Sequence, residues 1–65
     1  MTENFLTRMI DEKTELEERV TKLNTFIDSN MFKKLDKENQ KLLKKQQAYM
    51  LGYLNTLTQR IILNQ

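Results

Sequence analysis

The chain has 65 residues with no proline, one glycine and no cysteine, and charged residues make up 31% of it. This composition indicates a small, soluble, helical protein, and it excludes a flexible linker, a disulfide framework and a zinc site built from histidine or cysteine. The formal net charge is +2: residues 1–32 carry four basic and seven acidic side chains, and residues 33–65 carry seven basic and two acidic ones.

A first long helix is predicted to begin near Thr2 or Glu3, where threonine suits the N-cap and glutamate suits the positive end of the helix dipole. Spacings of three and four residues define an apolar seam, which Lys13 interrupts once. The apolar members of this seam are Leu6, Met9, Leu16, Val20, Leu23 and Ile27. Further apolar residues widen the stripe, so we expect the helix to contact more than one neighbour.

A short connection follows the first helix. Asp28, Ser29 and Asn30 are turn and capping residues that end it. We expect residues 31–35 to form one short helical turn, with Phe32 and Leu35 facing inward.

A second long helix is predicted from Asp36, its N-cap, to about Leu63. Its apolar seam consists of Leu43, Met50, Leu54, Leu57 and Ile61. Because a short connection makes two long helices antiparallel neighbours, the predicted fold is all-α, an antiparallel αα-hairpin with a short helical turn between its long helices. The whole chain, residues 1–65, forms one domain.

The hairpin is also predicted to assemble with copies of itself. Below roughly 70–80 residues, apolar burial barely offsets an ordering cost of ~1.5 kcal/mol per residue. No disulfide is available, so self-association is the ordinary remaining source of stability. Four apolar residues lie off the seam and suit a further contact surface: Leu42, Leu51, Ile62 and Leu63. We therefore expect a homo-oligomeric helical bundle.

Enzymatic, metal-binding and membrane functions are not expected. The chain has no histidine or cysteine, and its one serine, Ser29, lies in a predicted turn. The acidic residues between Asp11 and Glu18 match no calcium loop and suit a solvated helix face. No apolar stretch approaches the ~20 residues of a membrane span, and the first residues do not resemble a signal peptide. The sequence thus predicts a cytoplasmic protein without catalytic residues, metal or cofactor.

A polar and aromatic stripe on the second helix is the main candidate site. Its members, spaced by three and four residues, are Gln46, Tyr49, Tyr53, Thr56 and Arg60. One interpretation is structural, with half-buried tyrosines at a helix interface and Arg60 paired with a glutamate. The other is a ligand site, because tyrosine stacks on nucleobases at ~1–3 kcal/mol per base and arginine binds phosphate oxygens bidentately.

Charged residues elsewhere allow similar alternatives. Arg8, Glu15 and Lys22 recur every seven residues on the first helix, and Lys22 is either an ordinary exposed lysine or a residue lining a groove between subunits. Six lysines between Lys33 and Lys45 suit either a solvated face or an acidic partner.

The chain resembles the phage helical-hairpin domain of the anti-CBASS cyclic-nucleotide sponges. The resemblance rests on a combined pattern, K-L-x-x-F-I followed by Q-x-L-L-x-x-Q-x-x-x-M-x-x-Y-x-x-x-L-x-x-R-I. The same domain occurs in one kind of anti-Thoeris sponge. The pattern begins at Lys22 and ends at Ile61, and the resemblance covers about residues 6–62.

This resemblance implies a protein that is not an enzyme. It implies a homo-oligomer, a hexamer, that binds cyclic di- and trinucleotides in pockets between protomers and so blocks host immune signalling from within the host cytoplasm. By position, the resemblance implies that Lys22 and Arg60 contact phosphate. Tyr49 and Tyr53 of the stripe and Arg8 of the first helix are further candidate ligand-binding residues. Family members stack an aromatic residue near the start of the first helix on a base, and this region holds Phe5 here.

Two other functions are compatible with the sequence. The off-seam apolar residues also suit a structural or adaptor coiled-coil protein that binds a host or phage protein. The lysine-rich segment suits a nucleic-acid binder, but a net charge near neutrality and an acidic first helix argue against specific DNA or RNA binding.

Overall fold

The protein is a hairpin of two long helices. The computed structural model describes residues 2–65, with side-chain surroundings from Phe5 onward. Its elements are α1 (Thr2–Ile27), α2 (Asn30–Lys33) and α3 (Lys37–Leu63). Helices α1 and α3 pack along each other, and the molecule measures 48 × 15 × 14 Å. The predicted all-α hairpin is confirmed, and so are the predicted start of α1 and end of α3. Thr2 was predicted to cap α1, but its side chain is not among those that the structure describes.

The turn between the long helices is held by a serine cap. The Ser29 hydroxyl donates to the carbonyl oxygen of Phe26 at 2.6 Å and accepts from the backbone N–H of Phe32 at 3.4 Å. Since Ser29 is the N-cap, α2 begins at Asn30 and ends at Lys33, slightly earlier than the predicted 31–35. Phe32 is buried, its ring meeting that of Phe26 edge to face at 6.3 Å.

A single glutamine ties this turn to α3. The side-chain amide of Gln40 donates to the carbonyl oxygens of Phe32 (3.1 Å), Lys33 (3.4 Å) and Leu35 (2.9 Å). Lys33 is the last residue of α2 and Leu35 lies beyond it, so these two carbonyls have no backbone donor, whereas the Phe32 carbonyl also accepts from the backbone N–H of Leu35 at 3.1 Å. Gln40 therefore replaces the hydrogen bonds that a longer helix would supply. The predicted N-cap of α3 is confirmed, because Asp36 accepts from the backbone N–H of Asn39 at 3.0 Å.

Replacing Gln40 by glutamate is expected to lower the free energy of unfolding by about 1–3 kcal/mol. A carboxylate cannot donate a hydrogen bond, so Gln40→Glu places an acceptor against three carbonyl oxygens. Urea unfolding followed by circular dichroism measures the change. Gln59→Glu, on an exposed part of α3, is the matched control; equal stability of the two variants would contradict the role of Gln40.

The core between α1 and α3 is a thin apolar seam. Among the described residues, the buried apolar side chains are Met9, Leu16, Val20, Phe32, Leu57 and Ile61. The other apolar seam residues predicted from the sequence are half-buried, so both predicted seams are confirmed. Lys13 is half-buried as well, and its ammonium group pairs with Glu17 at 3.4 Å. No helix in the described part of the chain combines the length and the apolarity needed to cross a membrane.

The hairpin leaves much of its surface uncovered. Its accessible surface is 5419 Å², whereas a compact monomer of 7.9 kDa exposes about 4,400 Å². The radius of gyration is 14.9 Å, against about 11 Å for a compact domain of this length. Two long helices have few ways to bury each other, so a large share of the apolar side chains of α3 remains accessible.

Candidate functional site

The hairpin has two broad faces, and a hydrogen bond between the long helices marks one of them. The side-chain amide of Gln47 on α3 donates to the side-chain oxygen of Asn24 on α1. The flanks of the two helices that carry these amides therefore meet on one face. With ~100° between successive helical residues, Tyr49 and Tyr53 lie on the other flank of α3, and Arg8 lies on the other flank of α1.

We name this second surface the tyrosine face, and it collects the residues predicted from the sequence. The polar and aromatic stripe lies on the α3 side of this face. Arg8 and Lys22 lie on the α1 side, and Lys22 is nearer the outer edge. Phe5 lies beside it, at the open end of the hairpin. All six predicted ligand-binding residues are exposed: Phe5, Arg8, Lys22, Tyr49, Tyr53 and Arg60.

Along the hairpin these residues form two groups. Lys22 precedes Asn24 and is level with Tyr49, because Asn24 contacts Gln47. Arg8 precedes Met9, which packs against Leu57 and Ile61, and is therefore level with Arg60. A rise of 1.5 Å per residue puts about 16 Å along the axis between Tyr49 and Arg60. We call these groups the middle group (Lys22, Tyr49, Tyr53) and the open-end group (Phe5, Arg8, Arg60).

The spacing of the groups determines what one chain can bind. The side chains of Lys22 and Arg60 cannot reach the same phosphate within one hairpin, since their levels differ by about three helical turns. Glu15 lies between Arg8 and Lys22 on the same flank of α1 and separates the two positive charges. A single copy thus presents two separate candidate sites rather than one pocket.

A shallow groove lies in the middle of the tyrosine face. It has a volume of about 650 Å³, and its lining residues are Leu42, Lys45, Gln46, Tyr49, Met50 and Tyr53. This volume is within the range of roughly 300–1,000 Å³ that is usual for ligand pockets, but such pockets bury most of the ligand surface. Because α3 alone lines the groove, a ligand in it would contact one helix only, and a second protein surface is needed to enclose it.

Lys45 is a site residue that the sequence analysis did not single out. Its ammonium nitrogen lies 5.9 Å from the centre of the Tyr49 ring, within cation–π range. The spacing of four residues between Lys45 and Tyr49 is the signal that predicts this contact on a helix. The contact places a positive charge beside a tyrosine that is 69% exposed.

The structural interpretation of Arg60 finds no support among the described side chains. Within residues 5–65, the ion pair joins Lys13 and Glu17, and Arg60 contacts no glutamate there. The exposed tyrosines and cations of the tyrosine face are therefore available to an aromatic, negatively charged ligand. Guanidinium and ammonium groups bind phosphate oxygens, and tyrosine rings stack on bases.

Comparison with protein-family models gives one result. The model of the family described as Sequestin matches residues 3–63, which is nearly the whole chain. Comparison with curated proteins and with solved structures gave no match.

Proposed function

This chain belongs to the Sequestin family, and we propose that it is a non-enzymatic sponge for cyclic oligonucleotide second messengers. The family name indicates that its members sequester something. In the proposal, the sequestered molecules are cyclic di- and trinucleotides. By binding them in the host cytoplasm, a phage-encoded protein keeps them from the host effectors that they activate.

The gathering of cations and tyrosines on one face of the hairpin is the observation that carries the proposal. A cyclic oligonucleotide presents bases for stacking and at least two phosphates for cationic side chains. The middle group supplies Tyr49, Tyr53 and Lys22 at neighbouring levels, and the open-end group supplies Arg8 and Arg60. Binding of this kind needs recognition alone, since sequestration breaks no bond in the messenger.

Assembly is the second part of the proposal. The groove beside Tyr49 is lined by one helix, and the hairpin exposes about 1,000 Å² more surface than a compact monomer of its mass. A standard interface buries about 800 Å² per partner, so the excess is sufficient for a contact between copies. We propose a homo-oligomer, a hexamer, whose pockets form where subunits meet and combine residues from two chains.

Titration calorimetry with a panel of cyclic di- and trinucleotides tests the proposed function. We expect at least one of them to bind with a dissociation constant below ~10 μM, equivalent to about −7 kcal/mol. A linear dinucleotide with the same bases is the control for nonspecific binding of phosphate. Mass analysis of the ligand released from the complex should recover it intact. If no member of the panel binds, or if the ligand returns hydrolysed, the proposal is wrong.

A further inference from the structure

The face opposite the tyrosine face carries a separate apolar surface. Its exposed members are Ile10 on α1 and Leu51 and Ile62 on α3, with 43%, 45% and 65% of their surfaces accessible. Leu51 is four residues after Gln47, and Ile10 is two heptads before Asn24, so both lie on the side marked by the amide hydrogen bond. We call this surface the aliphatic face and include in it Thr14 and Thr58.

The two threonines make the aliphatic face less polar than its sequence suggests. The Thr14 hydroxyl donates to the carbonyl oxygen of Ile10 at 3.0 Å, and the Thr58 hydroxyl donates to that of Leu54 at 2.9 Å. With their hydroxyl protons donated to carbonyl oxygens of their own helices, these side chains have no hydroxyl donor left for a partner. The nearby charges of Lys13 and Glu17 pair with each other at 3.4 Å.

We propose that the aliphatic face is an interface between two copies of this chain, with the two α3 helices antiparallel. The register follows from the positions of the apolar side chains. Leu51 and Ile62 are the exposed apolar residues of α3 on this face, and a two-fold axis level with residues 56 and 57 places Leu51 of one copy opposite Ile62 of the other. The same rotation gives the reciprocal contact, as an isologous interface requires.

A second copy fits this face better than a charged partner does. Interface cores are poor in charged residues, and the segment from Leu51 to Ile62 carries one charged side chain, Arg60, which lies on the tyrosine face. Lys44, one heptad before Leu51 on the same flank, lies beyond the paired segment and has its ammonium group 5.9 Å from the Phe32 ring. Between Leu51 and Ile62, the α3 side of the aliphatic face therefore offers no charged side chain to a nucleotide or an acidic protein.

This inference extends the proposed function by assigning the two faces of the hairpin different roles. Contact through the aliphatic face leaves the tyrosine face available for ligand and for further subunit contacts. The proposed contact involves the aliphatic face alone, so the experiments below measure contacts between chains and not nucleotide binding. The interface and the sponge function can consequently fail independently of each other.

Disulfide crosslinking tests the antiparallel register directly, because the chain has no cysteine of its own. Leu51 and Ile62 of one helix are about 16 Å apart along the axis, whereas disulfide-bonded residues have Cα atoms about 4–7 Å apart. A bond between cysteines at these positions must therefore join two chains. We expect the double variant Leu51→Cys/Ile62→Cys to form covalent dimers on mild oxidation, and each single variant to remain uncrosslinked. Equal crosslinking of a single variant, or none in the double variant, would overturn the register.

A charge introduced at the interface tests the same proposal without oxidation. We expect Ile62→Lys to lower the molar mass measured by sedimentation at micromolar concentration at least two-fold, because each interface would bury two lysines. Gln59→Lys, which adds the same charge at an exposed polar residue of the same helix, should keep the wild-type mass. Circular dichroism establishes that both variants are helical. If the Ile62→Lys variant keeps the wild-type molar mass, the proposed interface is wrong, whether or not the protein binds nucleotide. If the interface is intact but the protein binds no cyclic nucleotide, only the sponge proposal is wrong.

Discussion

Replacing Leu57 by alanine is expected to cost about 2–5 kcal/mol of unfolding free energy, which is the range for a leucine truncated in a packed core. Leu57 is 1% exposed and clusters with Met9 and Ile61, against which Leu6 also packs. Small domains have total stabilities of roughly 5–15 kcal/mol, and this chain has a thin core. The loss therefore amounts to a large fraction of the total, and we expect much of the helical signal to disappear at 37 °C.

Thermal and urea unfolding followed by circular dichroism measure this effect, at one protein concentration because assembly contributes to stability. Leu63→Ala is the matched control, since it removes the same atoms from an exposed position on the same helix. We expect the control to lie within about 0.5 kcal/mol of wild type. A Leu57→Ala protein with wild-type stability would show that the seam between α1 and α3 is not the core of the folded protein in solution.

Replacing Lys22 or Arg60 by alanine is expected to weaken binding of a cyclic nucleotide while leaving the oligomer intact. A hydrogen bond to a charged group contributes about 1.5–3 kcal/mol, and 1.4 kcal/mol corresponds to a ten-fold change in affinity. Each substitution should therefore raise the dissociation constant about 10- to 100-fold. Because the middle and open-end groups are separated along the hairpin, the two variants test two distinct parts of the tyrosine face.

Calorimetry with the tightest-binding cyclic nucleotide measures these changes, and light scattering measures the mass of each variant. Lys41→Ala is the control: it removes one exposed positive charge from α3 in the lysine-rich segment outside both groups. Wild-type affinity in both Lys22→Ala and Arg60→Ala would refute the site assignment. Loss of affinity in one variant alone would identify the group to which the ligand binds.

Sequence patterns predicted the helices well because their determinants are local. The spacing of Leu57 and Ile61 indicated a buried seam, and both are buried. Asp36 was recognisable as an N-cap because an N-cap aspartate bonds to a backbone N–H three residues later, as it does with Asn39. The boundaries of α2 were less accurate, since Ser29 and Asn30 both suit a turn and only the hydrogen bond to Phe32 distinguishes the cap.

Contacts between distant residues were not accessible in this way. Gln40 and Asn24 are ordinary polar residues in the sequence, yet one holds the carbonyl groups of the turn and the other bonds to Gln47 across the helices. Periodicity states which residues share a face of one helix, but not which flanks of two helices meet. That depends on the rotation of each helix about its axis, which the packing of the seam determines.

The sequence alone thus determined that the chain forms two antiparallel helices with an apolar seam, because caps and hydrophobic periodicity act over a few residues. It also identified the tyrosines and cations as the unusual side chains. The tertiary structure decided that these residues share one face, that they form two groups along it, and that an aliphatic surface lies on the other face. The physical reason is that the position of a side chain in space depends on how two helices dock, and docking is determined by contacts between residues far apart in the chain.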